Sequence, residues 1–316
     1  MTKRSAYPST LLKVSSGRRN QHHQTVWGRA VSILSVAILV SLGGSARQTV
    51  WAGKYESHFG EVYAERESGP LKADLYVPEG KGPFPGVLVV HGGAWYMGTR
   101  AQLSGFAQLL ASRGMTAVAI SYRFAPAHKF PAQIEDCKTA VRWMRRHTDR
   151  LKIDPTRIGG FGYSAGAHLV ALLGTTDAED GLEGNLNRAD SPSTRLQAVA
   201  GGGAPCDFRT IPLDLGMLSF WLGGTRRQRA EQYRLASPAE FVSSDDPPMF
   251  FFHGEKDDLV PLASPTAMCQ ELKRVGVSAE LYVVPDVGHI FAVLDRTALE
   301  KCATFLAEEL ASGEKR

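Results

Sequence analysis

Sulfur is scarce in this chain. Its 316 residues include four cysteines, Cys137, Cys206, Cys269 and Cys302, widely spaced and with no C-x-x-C. That spacing argues against a structural metal site. A chain of this length buries enough apolar surface to do without a disulfide framework, so buried free thiols are expected. A membrane-length hydrophobic run is also missing. The apolar stretch Ala30–Leu42 covers 13 residues, short of the ~20 that cross a bilayer as a helix. There is no internal repeat and no low-complexity linker. Acidic residues are absent from positions 1–52, which carry Lys3, Arg4, Lys13, Arg18, Arg19, Arg29 and Arg47.

That local absence explains the apparent basicity. The net charge is +4 and the pI 8.8. Without those seven cations the remainder has 29 Lys and Arg against 32 Asp and Glu, a net of −3. A nucleic-acid partner inferred from pI therefore fails. A basic segment followed by a short apolar one reads as an export signal or N-terminal anchor over residues 1–52. Small-residue cleavage patterns end at Ala46 and Ala52; cleavage after Ala52 is favoured because it leaves the polar start Gly53-Lys54. The expected catalytic body is then 53–316, in a periplasmic or extracellular protein. Nothing in the sequence sets an oligomeric state.

The whole chain is 43% hydrophobic and 22% charged, ordinary globular material. Strand-like and helix-like segments alternate along the body. Gly86–Val90, Thr116–Ile120 and Ile158–Phe161 are short continuous apolar runs, the pattern of strands buried on both faces. Lys72–Val77, Leu196–Ala200, Met249–Phe252 and Leu281–Val284 are further strands. Helical spacing marks Ala101–Arg113, Pro131–His147, Ala165–Leu173, Pro265–Arg274 and Leu294–Leu310. This order predicts an α/β fold, a mostly parallel sheet with helices on both faces. The least regular stretch, about 206–246, is expected as a small cap over the strand ends.

Residues 162–166 read Gly-Tyr-Ser-Ala-Gly, directly after the third buried run. A strand feeding G-x-S-x-G puts the Ser164 hydroxyl on a sharp strand-to-helix bend. A serine hydroxyl needs a base, a group orienting that base, and donors for the developing oxyanion. His289 lies after the last strand, in Pro285-Asp286-Val287-Gly288-His289, and is the expected base on a loop before the final helix. The acid falls in His253-Gly254-Glu255-Lys256-Asp257-Asp258, where Asp257, Asp258 and Glu255 compete. Oxyanion donors are expected from the N–H groups of Ala165, Gly93 and Ala94, the last two in the His91-Gly92-Gly93-Ala94-Trp95 loop after the first buried run. Trp95 and Tyr163 are candidate linings of the substrate pocket, with packing roles as the alternative.

Taken together these segments resemble the alpha/beta-hydrolase superfamily. Within it they resemble the acetyl esterase and hormone-sensitive-lipase-like carboxylesterases, and in particular the subgroup of bifunctional feruloyl and acetyl-xylan esterases. The matching pieces are HGGAW at 91–95, SYRFAPAHKFPAQIEDC at 121–137, DPTRIGGFGYSAGAHLVALLG at 154–174, HGEKDDLVP at 253–261 and PDVGHIF at 285–291. The family pattern H-G-x-x-D-x-x-V-P selects Asp257 as the acid. The resemblance implies a cofactor-free, metal-free serine esterase with Ser164, Asp257 and His289 as triad. It also implies a small-molecule or carbohydrate ester as substrate, with short acyl chains. Ala94 stands in place of the third glycine of the lipase-like loop, and Ala167 where many relatives have Gly. The 206–246 region matches poorly. An amidase, formamidase or peptidase on the same fold is the rival activity, and a non-catalytic binding module the rival class.

Overall fold

Buried β-branched runs need sheet neighbours on both sides, and the runs at the centre of this chain find them. The structure is a computed structural model that describes residues 53–184, 191–211 and 216–311. All described residues lie in one unit, Thr49–Arg316. The expected export segment, 1–52, lies outside the described residues.

Eight strands form one sheet: β1 (Tyr55–Arg66), β2 (Gly69–Pro78), β3 (Phe84–Val90), β4 (Thr116–Ile120), β5 (Ile153–Tyr163), β6 (Ala198–Gly202), β7 (Met249–Gly254) and β8 (Ala279–Val284). Their spatial order is β1-β2-β4-β3-β5-β6-β7-β8. β1 and β2 are antiparallel and β2 is antiparallel to β4; all later pairings are parallel. Parallel pairing requires crossovers, which are supplied mainly by helices: α1 (Ser104–Ser112), α2 (Ala132–Arg146), α3 (Ala165–Thr175) and α6 (Ala263–Arg274), with α4 (Gly216–Leu222) and α5 (Ala230–Leu235) in the cap region, while α7 (His289–Ala292) and α8 (Arg296–Ala311) follow β8.

The alternation of side chains along the strands divides the core between the two faces. Leu88, Val118 and Phe251 pack with α2, α3 and α6 residues such as Val141, Val170 and Leu272. Val87, Val89, Phe161 and Phe252 pack with α1 and α8 residues such as Leu110 and Leu306. All four cysteines are buried and unpaired. Among the described residues no helix is long and apolar enough to cross a membrane.

Three features depart from the expected outline. β1 was not foreseen; it is an edge strand with a single buried residue and two register shifts, so it lacks the alternation that betrays a half-buried strand. The cap region contains two short helices too brief to show a helical period. His289, expected on a loop, is the first residue of α7, whose four residues are likewise too few for a period.

Candidate active site

The bend at Ser164 is strained, and its neighbours explain why it persists. Ser164 has φ +54° and ψ −120° at the N-cap of α3, a region costing a non-glycine residue about 1–3 kcal/mol. Its N–H donates to Gly202 O at 2.7 Å, which ties the bend to β6. A methyl group on Gly162 would lie 2.3 Å from Gly166 C, and one on Gly166 would lie 1.9 Å from Val90 O. Glycine is therefore required at both flanks, because the helix start is driven against the end of β3. Ala167, unusual for the resembled family, fits because Gly201 lies opposite; a Cβ there would be 2.9 Å from Ala167 Cβ.

Two residues singled out downstream, His289 and Asp257, meet Ser164 at this bend. His289 Nε2 lies 2.9 Å from Ser164 Oγ, and His289 Nδ1 lies 2.6 Å from Asp257 Oδ2. The imidazole is 5% exposed and the Asp257 carboxylate 1%, so this line of hydrogen bonds is nearly dry. Asp257 Oδ1 accepts the N–H groups of Leu259 and Val260 at 3.0 and 2.8 Å. Burial alone would raise the Asp257 carboxyl. The hydrogen bond and charge of His289, the Val260 N–H and His253 outweigh it and hold the group below the usual carboxylate range. The competing acids are placed otherwise: Asp258 is exposed, and Glu255 accepts the Asp286 N–H at 3.0 Å.

Two site residues escaped the sequence reading. His253 Nε2 lies 2.8 Å from Val260 O and 3.2 Å from Asp257 Oδ2. It is a neutral donor clamped beside the acid, kept uncharged mainly by burial. Gly203 sits at φ +61° just past β6, and a methyl group on it would fall 2.8 Å from His289 Cε1. The run Gly201-Gly202-Gly203 was its only trace in the sequence.

The loop after β3 lies against the serine. A Cβ on Gly92 would be 3.3 Å from Ser164 Cβ. Gly93, Ala94 and Trp95 follow with φ of +117°, +48° and +64°, and Gly93 O accepts the N–H groups of Tyr96 and Met97. Ala165 opens α3, where the first N–H groups have no partner within the helix. His91 is buried, stacks on Tyr122 at 4.4 Å and donates from Nδ1 to Gly92 O at 2.7 Å; burial pushes its imidazole down to about 4. These contacts tie His91 to the loop.

The two aromatic candidates are closely packed side chains. Trp95 is 3% exposed and stacks on Trp221 of α4 with centroids 3.8 Å apart and planes 5° apart. Phe130 N–H donates to Trp221 O at 3.1 Å, and Trp221 Nε1–H to Gln133 Oε1 at 2.9 Å. The cap region is thereby packed onto the loop after β3. The Tyr163 hydroxyl donates to His289 O; burial and the Asp257 charge raise it, so it stays a neutral donor. Among the described residues no group of three or more His, Cys, Asp or Glu is placed to hold a metal ion.

A parallel sheet with a strained serine between its fifth strand and the following helix, and an acid and a histidine on later strand ends, defines an α/β-hydrolase. The BD-FAE family model matches residues 73–272, and the chain belongs to that family. Among curated proteins it is similar to esterase LipC of Mycobacterium tuberculosis, 34% identical over 67% of this chain and 54% of that protein. It is also similar to the probable carboxylic ester hydrolase LipM of the same organism, 31% identical over 73% of this chain and 56% of that one. The chain spans about half the length of these curated relatives. Among solved structures, a truncated carbohydrate esterase from gut microbiota superimposes with a TM-score of 0.72 at 25% identity, over 83% of this chain and 98% of that one. A thermophilic esterase of Thermogutta terrifontis with propionate bound gives 0.68 at 25% identity, over 81% and 94%.

Proposed function

We propose that the protein is a serine carboxylesterase that hydrolyses short-chain acyl esters. The observation that carries the reading is the hydrogen-bonded line from Ser164 Oγ through His289 to Asp257, at 2.9 and 2.6 Å. In this scheme Ser164 Oγ attacks the ester carbonyl carbon while its proton passes to His289 Nε2. Asp257 keeps the Nδ1–H tautomer and stabilises the imidazolium. The carbonyl oxygen, now negative, takes the N–H groups of Gly93, Ala94 and Ala165; deleting a single donor of this kind costs about 10²–10³ in kcat. Collapse of the tetrahedral intermediate expels the alkoxide, which receives the proton from His289 and leaves as alcohol. Water, deprotonated by the same nitrogen, then releases the acid from the acyl-enzyme. No cofactor enters the cycle.

The substrate class in the proposal is a small or carbohydrate ester, including acetylated or feruloylated polysaccharide. Family membership and the likeness to a carbohydrate esterase support it, and the propionate in the similar thermophilic esterase supports a short acyl chain. The proposal includes export of residues 53–316, on the basic and apolar character of residues 1–52. N-terminal sequencing of material outside the cell tests that part.

A substrate panel on the full chain tests the activity: p-nitrophenyl acetate to palmitate, acetyl-xylan, methyl ferulate, N-formylkynurenine and a peptide anilide. Turnover of acetyl and other short esters is expected. Ser164→Ala should remove it, apart from a residual of roughly 10³–10⁴ over water. Full activity in Ser164→Ala, or turnover of the amides alone, overturns the reading.

A further inference from the structure

The loop beside Ser164 ends on Trp95, and the indole of Trp95 is held by a histidine that the catalytic scheme does not use. His168 is wholly buried. It lies one turn into α3, where its backbone N–H donates to Ser164 O at 3.0 Å. Its Nδ1 is 3.1 Å from Trp95 Nε1, and its Nε2 is 2.7 Å from Ala236 O. An indole nitrogen only donates and a carbonyl only accepts, so the tautomer is fixed: Nδ1 accepts from Trp95 and Nε2–H donates to Ala236. Burial pushes this imidazole down to about 4, which keeps the accepting lone pair available at neutral pH. The Trp95 ring is gripped on other sides too, stacked on Trp221 and edge-on to Phe208. Gly93, Ala94 and Trp95 are three successive residues at positive φ, and two of them carry a Cβ. Such a run persists only where its surroundings over-determine it.

We propose that His168 is a positioning residue of the oxyanion hole: by accepting the Trp95 indole N–H it locks the left-handed turn at Ala94–Trp95 and so aims the Gly93 and Ala94 N–H groups. The proposal rests on the serine-esterase reading above. His168 touches no substrate and acts through Trp95. Its own backbone hydrogen bond to Ser164 O makes nucleophile and oxyanion donors parts of one rigid unit, the preorganisation that oxyanion stabilisation requires.

Three substitutions separate the contacts. His168→Gln places an amide near the Nε2 position, keeps a donor for Ala236 O and leaves Trp95 without its acceptor. His168→Asn keeps an acceptor near Nδ1 and drops the Ala236 contact. Trp95→Phe removes the donor and keeps a ring in the stack. Steady-state hydrolysis of p-nitrophenyl acetate by the full chain is measured alongside urea unfolding. His168→Gln and Trp95→Phe are each expected to lower kcat by roughly 10- to 100-fold with KM little changed, less than loss of a donor because the donors are misdirected rather than deleted. The double variant should lose no more than the worse single one, since both break one contact. His168→Asn should recover most of the kcat lost in His168→Gln. Affinity for an alkyl trifluoromethyl ketone, which Ser164 would convert to an oxyanionic hemiketal, should fall in step with kcat.

A purely structural role would lower the urea midpoints and leave kcat per folded molecule and ketone affinity unchanged; that result overturns the proposal, as do additive losses in the double variant. Should the His168 variants fail to fold, Trp95→Phe and its ketone affinity decide alone. Turnover surviving in Ser164→Ala overturns the esterase reading and this proposal with it. Turnover that depends on Ser164 but is unchanged in Trp95→Phe overturns the positioning role only.

Discussion

Replacing Gly203 by alanine should displace His289 while leaving Ser164, His289 and Asp257 themselves unsubstituted. Gly203 occupies φ +61°, and an added Cβ would stand 2.8 Å from His289 Cε1 and 3.2 Å from Nδ1. Left-handed backbone costs an alanine about 1–2 kcal/mol of stability. The larger effect is on the ring. Ordinary contact begins near 3.4 Å, so the imidazole must retreat by about 0.6 Å. It cannot do so freely, because it is held at 2.9 Å to Ser164 and 2.6 Å to Asp257, and its backbone carbonyl is held by Tyr163. A misplacement of about 1 Å at a reacting group costs roughly 10²-fold; scaled to this shift, Gly203→Ala should lower kcat by about 10- to 50-fold, or roughly 1.4–2.3 kcal/mol of barrier. KM should change little. The assay is steady-state hydrolysis of p-nitrophenyl acetate, with active-site titration by an organophosphate to count competent sites and urea unfolding to follow stability. A kcat within twofold of the parent, at full site occupancy, would refute the argument that this glycine sets the position of His289.

Acid should destabilise the protein through two buried imidazoles. His91 and His168 are each held down to about 4 by burial, against ~6.5 in an unfolded chain. The unfolded chain therefore binds the extra protons, so this contribution is complete above about pH 6.5 and is lost as pH falls toward 4, roughly 2 kcal/mol per histidine between about pH 7 and 4.5. Urea midpoints across that range should drop, and less so in His168→Asn; an equal drop in that variant counts against the assignment. Glu183 is the shared anion of Lys138, at 2.5 Å, and of Arg142, with all three groups buried. Glu183→Gln leaves the buried Arg142 guanidinium without its anion and should cost about 3–5 kcal/mol, whereas Lys138→Met, at a group that burial and Arg142 already push down to about 7, keeps the Arg142–Glu183 pair and should cost far less. Equilibrium urea unfolding compares the two, and equal losses would refute the shared-anion account.

Local pattern carried the parallel centre of the sheet, because strands buried on both faces must be continuously apolar, as in Val87–Val90 and Thr116–Ile120. It also carried the strand-turn-helix around Ser164, where steric demand forces glycine at 162 and 166. His289 was legible from its place after the last strand, whereas position alone left Asp257, Asp258 and Glu255 in competition and the family pattern H-G-x-x-D-x-x-V-P selected Asp257. What stayed hidden depends on contacts between distant segments. Gly203 matters only because His289, far along the chain, comes to rest beside it. The sequence left Trp95 open between pocket lining and packing, because nothing in its neighbourhood announces Trp221 or His168. The edge strand β1 and the cap helices were missed for the opposite reason: their sparsely buried or very short segments impose no period on the sequence.

The hydrogen-bonded line at Ser164 joins residues 125 apart in the chain to one another, and residues 32 apart after that. Its members stand at the ends of β5, β7 and β8, with β6 supplying Gly202 O and Gly203 between them. Each of those pairings is parallel and closes only after a long crossover, which is slow in folding terms. Chains that have assembled the first half of the sheet therefore hold Ser164 in place but neither His289 nor Asp257. Turnover should return in refolding with the last docking event rather than with bulk secondary structure, so that enzyme activity serves as a clock for completion of the C-terminal half.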